Sequence, residues 1–130
     1  MKMTSDDEQV ILVYPPLQKE PVFVKVHEAN FHEVVSKICD GYEVVYARKL
    51  HEIYESAVFI CCDEFNRLDN PIPNELGTYL YNGDSLSIYD NWPILGTICI
   101  AKVIITQWGD EDIVGFTLLE AQWLYELLKQ

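Results

Sequence analysis

The sequence predicts an α+β protein, in which a mixed or mainly antiparallel sheet of five to seven strands carries two helices packed on it. The length of 130 residues fits one domain. A hydrophobic content of 49% is enough for a sizeable core. Short apolar runs are also more frequent than segments with helical periodicity. We expect residues 1–8 to form a disordered tail and residues 9–130 to form the single domain.

The domain opens with two predicted strands and a helix. Residues 9–14 are an apolar run ended by two prolines, which is typical of a central strand buried on both faces. Residues 21–27 are rich in β-branched side chains and follow a short polar link, which favours a hairpin. Asn30, with a glutamate three residues later, predicts a helix start, and Asp40-Gly41 predicts its end.

Three more strands are predicted from β-branched and apolar runs. They cover residues 41–47, 57–62 and 94–105, and Gly96 is the predicted break at the start of the last one. The link at residues 48–55 fits either one helical turn or an extended hairpin tip. Both interpretations stay open at this point.

The C-terminal segment predicts a hairpin followed by a helix. A turn at residues 108–112 leads into a strand at residues 113–116. Thr117 and Glu120 have the spacing of a capping box, which predicts a helix that runs to Gln130. The predicted apolar face of this helix consists of Leu118, Trp123, Leu124, Leu127 and Leu128.

Residues 63–93 combine turn formers with many apolar side chains. A loop this long is usually functional or disordered, and its aromatic residues argue against disorder. We therefore expect the segment to fold back onto the domain.

The charge balance excludes several classes of function. Against 9 Lys and Arg stand 21 Asp and Glu, a net charge of −12. We expect no direct nucleic-acid binding, because that needs clustered cations. We expect no membrane partner either, since no apolar run reaches the roughly 18 residues of a membrane span. The polar start of the chain predicts a cytoplasmic protein.

The residues that bind metals lack the required spacing. The four cysteines form no pair separated by two to four residues, and His27, His32 and His51 form no i, i+4 pair. We interpret the cysteines as reduced thiols that fill apolar space. No cofactor and no metal are expected.

No pattern predicts an enzyme. The best candidate nucleophile is Cys62, but Asp63 and Glu64 follow it and would raise the pKa of the thiol. The glycines form no loop that could cradle a phosphate group. We therefore expect Cys62 to have a structural role and the protein to be non-enzymatic.

Several segments carry a resemblance to a family. They are Cys39-Asp40-Gly41-Tyr42-Glu43-Val44-Val45-Tyr46, Asp63-Glu64-Phe65-Asn66-Arg67-Leu68, Pro71-Ile72-Pro73-Asn74, Ile94-Leu95-Gly96-Thr97 and Gly115-Phe116-Thr117-Leu118. Across roughly residues 22 to 129, the chain resembles a small uncharacterised family, a domain of unknown function of bacteriophages and mobile elements of gut bacteria. The resemblance implies a viral or mobile-element origin, and hence a host-cell cytoplasm, but no catalytic residue. Members often carry a basic residue where this chain has Glu75, which argues against phosphate binding at Asn74.

The acidic surface supports a protein-binding hypothesis. Carboxylates steer basic partners and can take the places of phosphates on a protein that grips nucleic acid. We therefore expect a protein that binds and inhibits a basic host defence protein. The predicted partner-binding residues are Asp84, Asp90, Asp110, Glu111 and Asp112. The other interpretation is that the negative charge only keeps the protein soluble.

An alternative function uses the long loop as a pocket that sequesters a nucleotide signal of host immunity. Aromatic rings would stack on the base, and polar groups would bind its edge. The candidate residues are Arg67, Asn74, Tyr79, Tyr81, Tyr89 and Trp92. The competing interpretation is that these aromatic residues cover the sheet. A homodimer formed through the apolar loop is compatible with either function.

Overall fold

Strands and short helices alternate along the chain. The computed structural model describes residues 9–27, 29–39, 42–45, 47–62, 72, 74–82 and 94–129. The elements are β1 (Gln9–Tyr14), β2 (Val22–Val26), α1 (Phe31–Cys39), β3 (Tyr42–Val45), α2 (Arg48–Ile53), β4 (Ala57–Cys62), α3 (Glu75–Asn82), β5 (Ile98–Ile105), β6 (Glu111–Val114) and α4 (Leu118–Leu128). The predicted disordered tail lies outside the described residues.

The strands form one six-stranded sheet in the order β2-β1-β5-β4-β3, with β6 also paired to β5. Every pairing is antiparallel. The first half of β5 pairs with β1, and its second half pairs with β6. Val10 and Phe116 exchange two backbone hydrogen bonds of 2.8 Å, which join the end of the β5–β6 hairpin to β1. The tip of this hairpin therefore extends past β1.

Both faces of β1 and of the first half of β5 are buried, as the apolar run of β1 predicts. Side chains alternate between the faces of a strand, so neighbouring residues enter different cores. Leu12, Tyr14 and Ile100 belong to a first core that also contains residues of α2, α3 and α4. The predicted central position of β1 is confirmed, since it lies between β2 and β5.

A second core fills the opposite face of the sheet. Ile11, Val13 and Cys99 pack there against Val35 and Cys39 of α1. The sheet therefore lies between α1 on one face and the other described helices on the other face.

The α+β class is confirmed, but the prediction of two helices is wrong, because the described residues contain four. α2 decides the open question at residues 48–55 in favour of a helix. α3 lies within the segment whose prolines, asparagines and glycines predicted only a loop. Its missed signal is the spacing of Leu76, Tyr79 and Leu80, which is helical.

Two predicted details of the C-terminal region are confirmed. Gly96 has a φ of 79°, which favours glycine, and β5 begins two residues later. Thr117 and Glu120 form the capping box of α4, with hydrogen bonds of 2.9 and 3.1 Å between side chains and backbone. The predicted apolar face is wrong in part, because Leu118 and Trp123 are exposed. Ala121 and Leu124 are the buried residues of this helix.

Candidate functional site

The tip of the β5–β6 hairpin is a turn held by local hydrogen bonds. Thr106 donates its backbone N–H to the carbonyl of Asp110 at 2.8 Å, and its own carbonyl accepts from Gly109 at 2.9 Å. The Thr106 hydroxyl accepts from the N–H of Trp108 at 3.2 Å. Gly109 has a φ of 86°, a conformation that other residues rarely adopt. The tip therefore has a defined shape.

The three acidic residues predicted from the sequence lie together at this tip. Asp110, Glu111 and Asp112 are all exposed. The backbone register places Glu111 opposite Ile105 and Asp112 opposite Ile104. The side-chain Oδ1 of Asp112 also accepts from the N–H of Ile113 at 3.0 Å. Each face of the hairpin tip thus carries a carboxylate beside an isoleucine.

Large apolar side chains are exposed next to these carboxylates. Trp108 is 80% exposed, Ile105 is 64% exposed and Ile104 is 40% exposed. The sequence predicts Trp108 in a turn and Ile104 and Ile105 in a strand, but it does not predict that their side chains are exposed. The available signal was the position of a tryptophan in a turn between strands, where it cannot reach a core.

The base of the hairpin is anchored to α4. The Lys102 ammonium contacts both carboxylate oxygens of Glu120, at 2.9 and 3.1 Å. Burial alone would raise the pKa of Glu120, but the hydrogen bond from Lys102 and those from Thr117 outweigh burial and hold this pKa below its ordinary value. Burial, followed by the negative charge of Glu120, raises the pKa of the neighbouring Tyr54. The ion pair fixes β5 where the hairpin leaves the sheet.

Asn74, predicted to bind a ligand, holds the fold together. Its side chain is buried and accepts from the N–H of Gly77 at 2.9 Å, which caps α3. Its amide nitrogen donates to the carbonyls of Tyr14 at 3.0 Å and Gly96 at 2.9 Å. Both amide hydrogens are therefore used within the protein.

Ile72 and Asn74 contact the chain at Ile94 and Gly96 through backbone hydrogen bonds. Asn74 N–H donates to the carbonyl of Ile94, and Gly96 N–H donates to the carbonyl of Ile72, both at 2.8 Å. The hydroxyl of Thr78 accepts from the N–H of Ile94 at 3.0 Å. These bonds attach the start of α3 to the chain that leads into β5.

The two described tyrosines of the predicted pocket do not converge. Tyr79 is half-buried against the first core, and the Lys49 ammonium lies 5.8 Å from its ring centroid. Tyr81 is exposed. Residues two apart on a helix do not share a face, so these rings do not form one wall. The remaining predicted residues lie outside the described residues: Arg67, Asp84, Tyr89, Asp90 and Trp92.

Two further surface features lie near α4. Leu119 and Trp123 are exposed beside Phe23 and Tyr125, and they line a shallow depression of about 550 Å³. A larger cavity of about 840 Å³ opens between the β1–β2 loop, α3 and the end of α4. Neither feature was predicted from the sequence.

Comparison with known protein families, with curated proteins and with solved structures found no match. Within the described ranges, no three His, Cys, Asp or Glu side chains are grouped so that they could hold a metal ion. The described helices are all too short to cross a membrane. The hairpin tip, with its exposed apolar and acidic side chains, and the larger cavity are the candidate sites in the described part of the chain.

Proposed function

We propose that this protein is a non-enzymatic accessory protein of a bacteriophage or mobile element, which binds and inhibits a host protein. The binding element is the tip of the β5–β6 hairpin. The observation that carries the proposal is the exposure of Trp108 and Ile105 beside Asp110, Glu111 and Asp112 on a turn of defined shape.

The two kinds of side chain at the tip serve different steps of binding. Exposed carboxylates raise the rate of association with a basic partner, and most strongly at low salt. A tryptophan that becomes buried in a partner's pocket slows dissociation, because aromatic anchors carry much of the binding energy of an interface. The tip therefore combines attraction over a distance with an apolar contact.

The charge of the chain selects the kind of partner. A net charge of −12 repels a second copy of the chain and attracts proteins with a basic surface. Proteins that grip nucleic acid carry such surfaces, since they bind phosphates through lysine and arginine. We propose that the hairpin tip occupies a nucleic-acid-binding face of a host defence protein, with carboxylates where phosphates would lie.

The test measures association and dissociation rates with a basic host protein identified by affinity capture. Replacing Asp110→Asn, Glu111→Gln and Asp112→Asn together is expected to lower the association rate about tenfold at low salt. Trp108→Ala is expected to raise the dissociation rate about tenfold, because it removes the apolar anchor. Surface plasmon resonance at several salt concentrations separates the two effects.

Matched variants control for charge and for aromatic content. Glu33→Gln, Glu52→Gln and Glu126→Gln make the same charge change at exposed positions of three helices. Trp123→Ala removes another exposed tryptophan. An equal loss of association rate in both charge variants would overturn the role of the hairpin acids. A dissociation rate unchanged by Trp108→Ala would overturn the anchor.

Sequestration of a nucleotide is the alternative proposal. The observation that favours it is the exposed ring of Tyr81 on α3, since an exposed aromatic ring is available to stack on a base. A nucleotide ligand would raise the melting temperature of the protein, because a ligand that binds only the folded state stabilises it. If no nucleotide that signals in host immunity raises the melting temperature, and protein binding is salt-sensitive, the sequestration proposal fails and the hairpin proposal remains.

A further inference from the structure

The larger cavity has apolar walls and a polar end. It lies between the loop that joins β1 to β2, the start of α3 and the end of α4, and its volume is about 840 Å³. Ile72, Leu76 and Leu128 line it with aliphatic side chains. Volumes and linings of this kind are typical of sites for small molecules. No residue of the hairpin tip lines the cavity.

Tyr14 contributes a buried hydroxyl to this cavity. The residue is only 2% exposed and lies at the end of β1. Among the described residues, no group forms a hydrogen bond with the Tyr14 hydroxyl. Burial, followed by the proximity of Tyr125 and Glu20, raises the pKa of Tyr14 above its ordinary value. The phenol therefore stays neutral, and its oxygen can accept a hydrogen bond.

Glu20 and Tyr125 form the polar end next to this hydroxyl. The Tyr125 hydroxyl donates a hydrogen bond to a carboxylate oxygen of Glu20. This carboxylate keeps further lone pairs for a second donor. The Tyr14 oxygen and the Glu20 carboxylate therefore both offer lone pairs at this end of the cavity. A ligand group with several N–H donors can form hydrogen bonds to both.

The chain itself places an ammonium group at this end of the cavity. The Lys129 ammonium lies 5.0 Å from the centroid of the Tyr125 ring, which is a cation–π geometry. It also pairs with Glu126 at 3.2 Å. Among the described residues at and next to this end of the cavity, the three carboxylates of Glu20, Glu75 and Glu126 therefore stand against the two ammonium groups of Lys19 and Lys129. The balance of charge favours a cation.

We infer that the cavity binds a small primary amine with an apolar body. The ammonium group donates hydrogen bonds to the Tyr14 hydroxyl and to Glu20. The apolar body packs against Ile72, Leu76 and Leu128. This inference does not depend on the hairpin proposal, since the two sites share no residue.

The test uses three phenyl-bearing probes of similar size that differ in charge. They are 2-phenylethylamine, 2-phenylethanol and 3-phenylpropionate, studied at pH 7 by calorimetry and ligand-detected NMR. We expect the amine to bind and to bind more tightly than the alcohol and the acid. Preferred binding of the acid would assign the cavity to Lys19 and Lys129 and overturn the inference. Binding of none of the three would also overturn it.

Variants locate the binding. Tyr14→Phe and Glu20→Gln are each expected to weaken amine binding about tenfold, because the first removes a hydrogen-bond acceptor and the second removes the negative charge that pairs with the ammonium group. Glu33→Gln, an exposed change on α1, is the matched control and is expected to have no effect. Amine binding that survives both cavity variants would place the amine elsewhere and overturn the inference.

The stability of Tyr14→Phe is a second, independent readout. If the hydroxyl has no partner within the protein, its removal should leave the melting temperature unchanged or raise it. A marked fall in melting temperature would show an internal partner for the hydroxyl, and the inference would then fail.

Discussion

At the scale of single residues, the Asn74 side chain joins three parts of the fold through its hydrogen bonds. Its amide group caps α3 and also binds the carbonyls at the end of β1 and at Gly96. We expect Asn74→Ala to lower the free energy of unfolding by about 3 kcal/mol, because it removes a cap and leaves two buried carbonyls without donors. Urea denaturation followed by circular dichroism measures this loss.

Tyr81→Phe is the control for this variant. Tyr81 belongs to the same helix but is exposed, so its change should cost less than about 0.5 kcal/mol. A loss of less than about 1 kcal/mol in Asn74→Ala would contradict the structural role of the amide.

The contrast between Asn74 and Thr117 shows which residue roles are readable from a sequence. Thr117 and Glu120 bond to each other three residues apart, so their spacing predicts the capping box. Asn74 binds the carbonyl of Tyr14, 60 residues away along the chain. Nothing local to Asn74 indicates that contact, and its polar side chain therefore suggested a ligand site.

At the scale of elements, the ion pair between Lys102 and Glu120 joins β5 to α4. The pKa of Glu120 is lower in the folded protein than in an unfolded chain. The ionised carboxylate therefore stabilises the fold above the ordinary pKa of 4.5, and this contribution is lost as the pH falls through the folded-state value.

We expect Glu120→Gln to lower the free energy of unfolding by about 1 to 2 kcal/mol at pH 7, because the charge-assisted bond to Lys102 is lost. The difference in free energy of unfolding between the variant and the unchanged protein should shrink as the pH falls from 4.5 through the lower folded-state pKa of Glu120, because the carboxylate then becomes protonated. Urea denaturation at a series of pH values measures this difference.

Glu126→Gln provides the comparison at the surface. Glu126 pairs with Lys129 at the surface, where the Glu126 side chain is 57% exposed and the Lys129 side chain is 50% exposed. Such pairs contribute little, so this variant should lose less than about 0.5 kcal/mol. A difference for Glu120→Gln that stays constant down to the acid range would contradict the role of its charge.

The elements that the sequence predicts correctly are those with continuous patterns. The apolar run of β1 predicts a strand buried on both faces, and the longer run of β5 predicts a strand whose first half is buried in the same way. α3 has only eight residues and begins after a proline-rich stretch, so its helical spacing was hidden by turn formers. The buried face of α4 was predicted wrongly in part, because its exposed side also carries large apolar residues, Leu118 and Trp123.

At the scale of the whole molecule, the candidate sites differ in how far they could be predicted. The three acidic residues are contiguous in sequence and exposed at the hairpin tip, but β6 begins at Glu111, so Glu111 and Asp112 lie in a strand and not in the predicted turn. Exposure of Trp108 depends on how far the hairpin extends past β1, which no local pattern reports. The cavity joins a loop, α3 and α4, and only the folded chain brings these together.

The two cores share the central strands, which predicts that the molecule unfolds as one unit. β1 and β5 contribute alternate side chains to both cores. Cys39 and Cys99 are reduced thiols, fully buried in the second core, with their sulfur atoms 3.6 Å apart. A buried thiol can be alkylated only when its surroundings open. Labelling of these cysteines should therefore follow unfolding of the whole domain.

We expect alkylation of Cys39 and Cys99 by iodoacetamide to rise with urea at the same midpoint as the loss of circular dichroism. Peptide-resolved mass spectrometry distinguishes these cysteines from Cys61 and Cys62. In a variant with Trp92→Phe and Trp108→Phe, the fluorescence of Trp123, whose ring centroid lies 5.8 Å from that of Tyr54, reports on the side of the sheet that carries the first core. Labelling of Cys39 at clearly lower urea than the fluorescence change would show that α1 separates first, because the shared strands would then not couple the two cores.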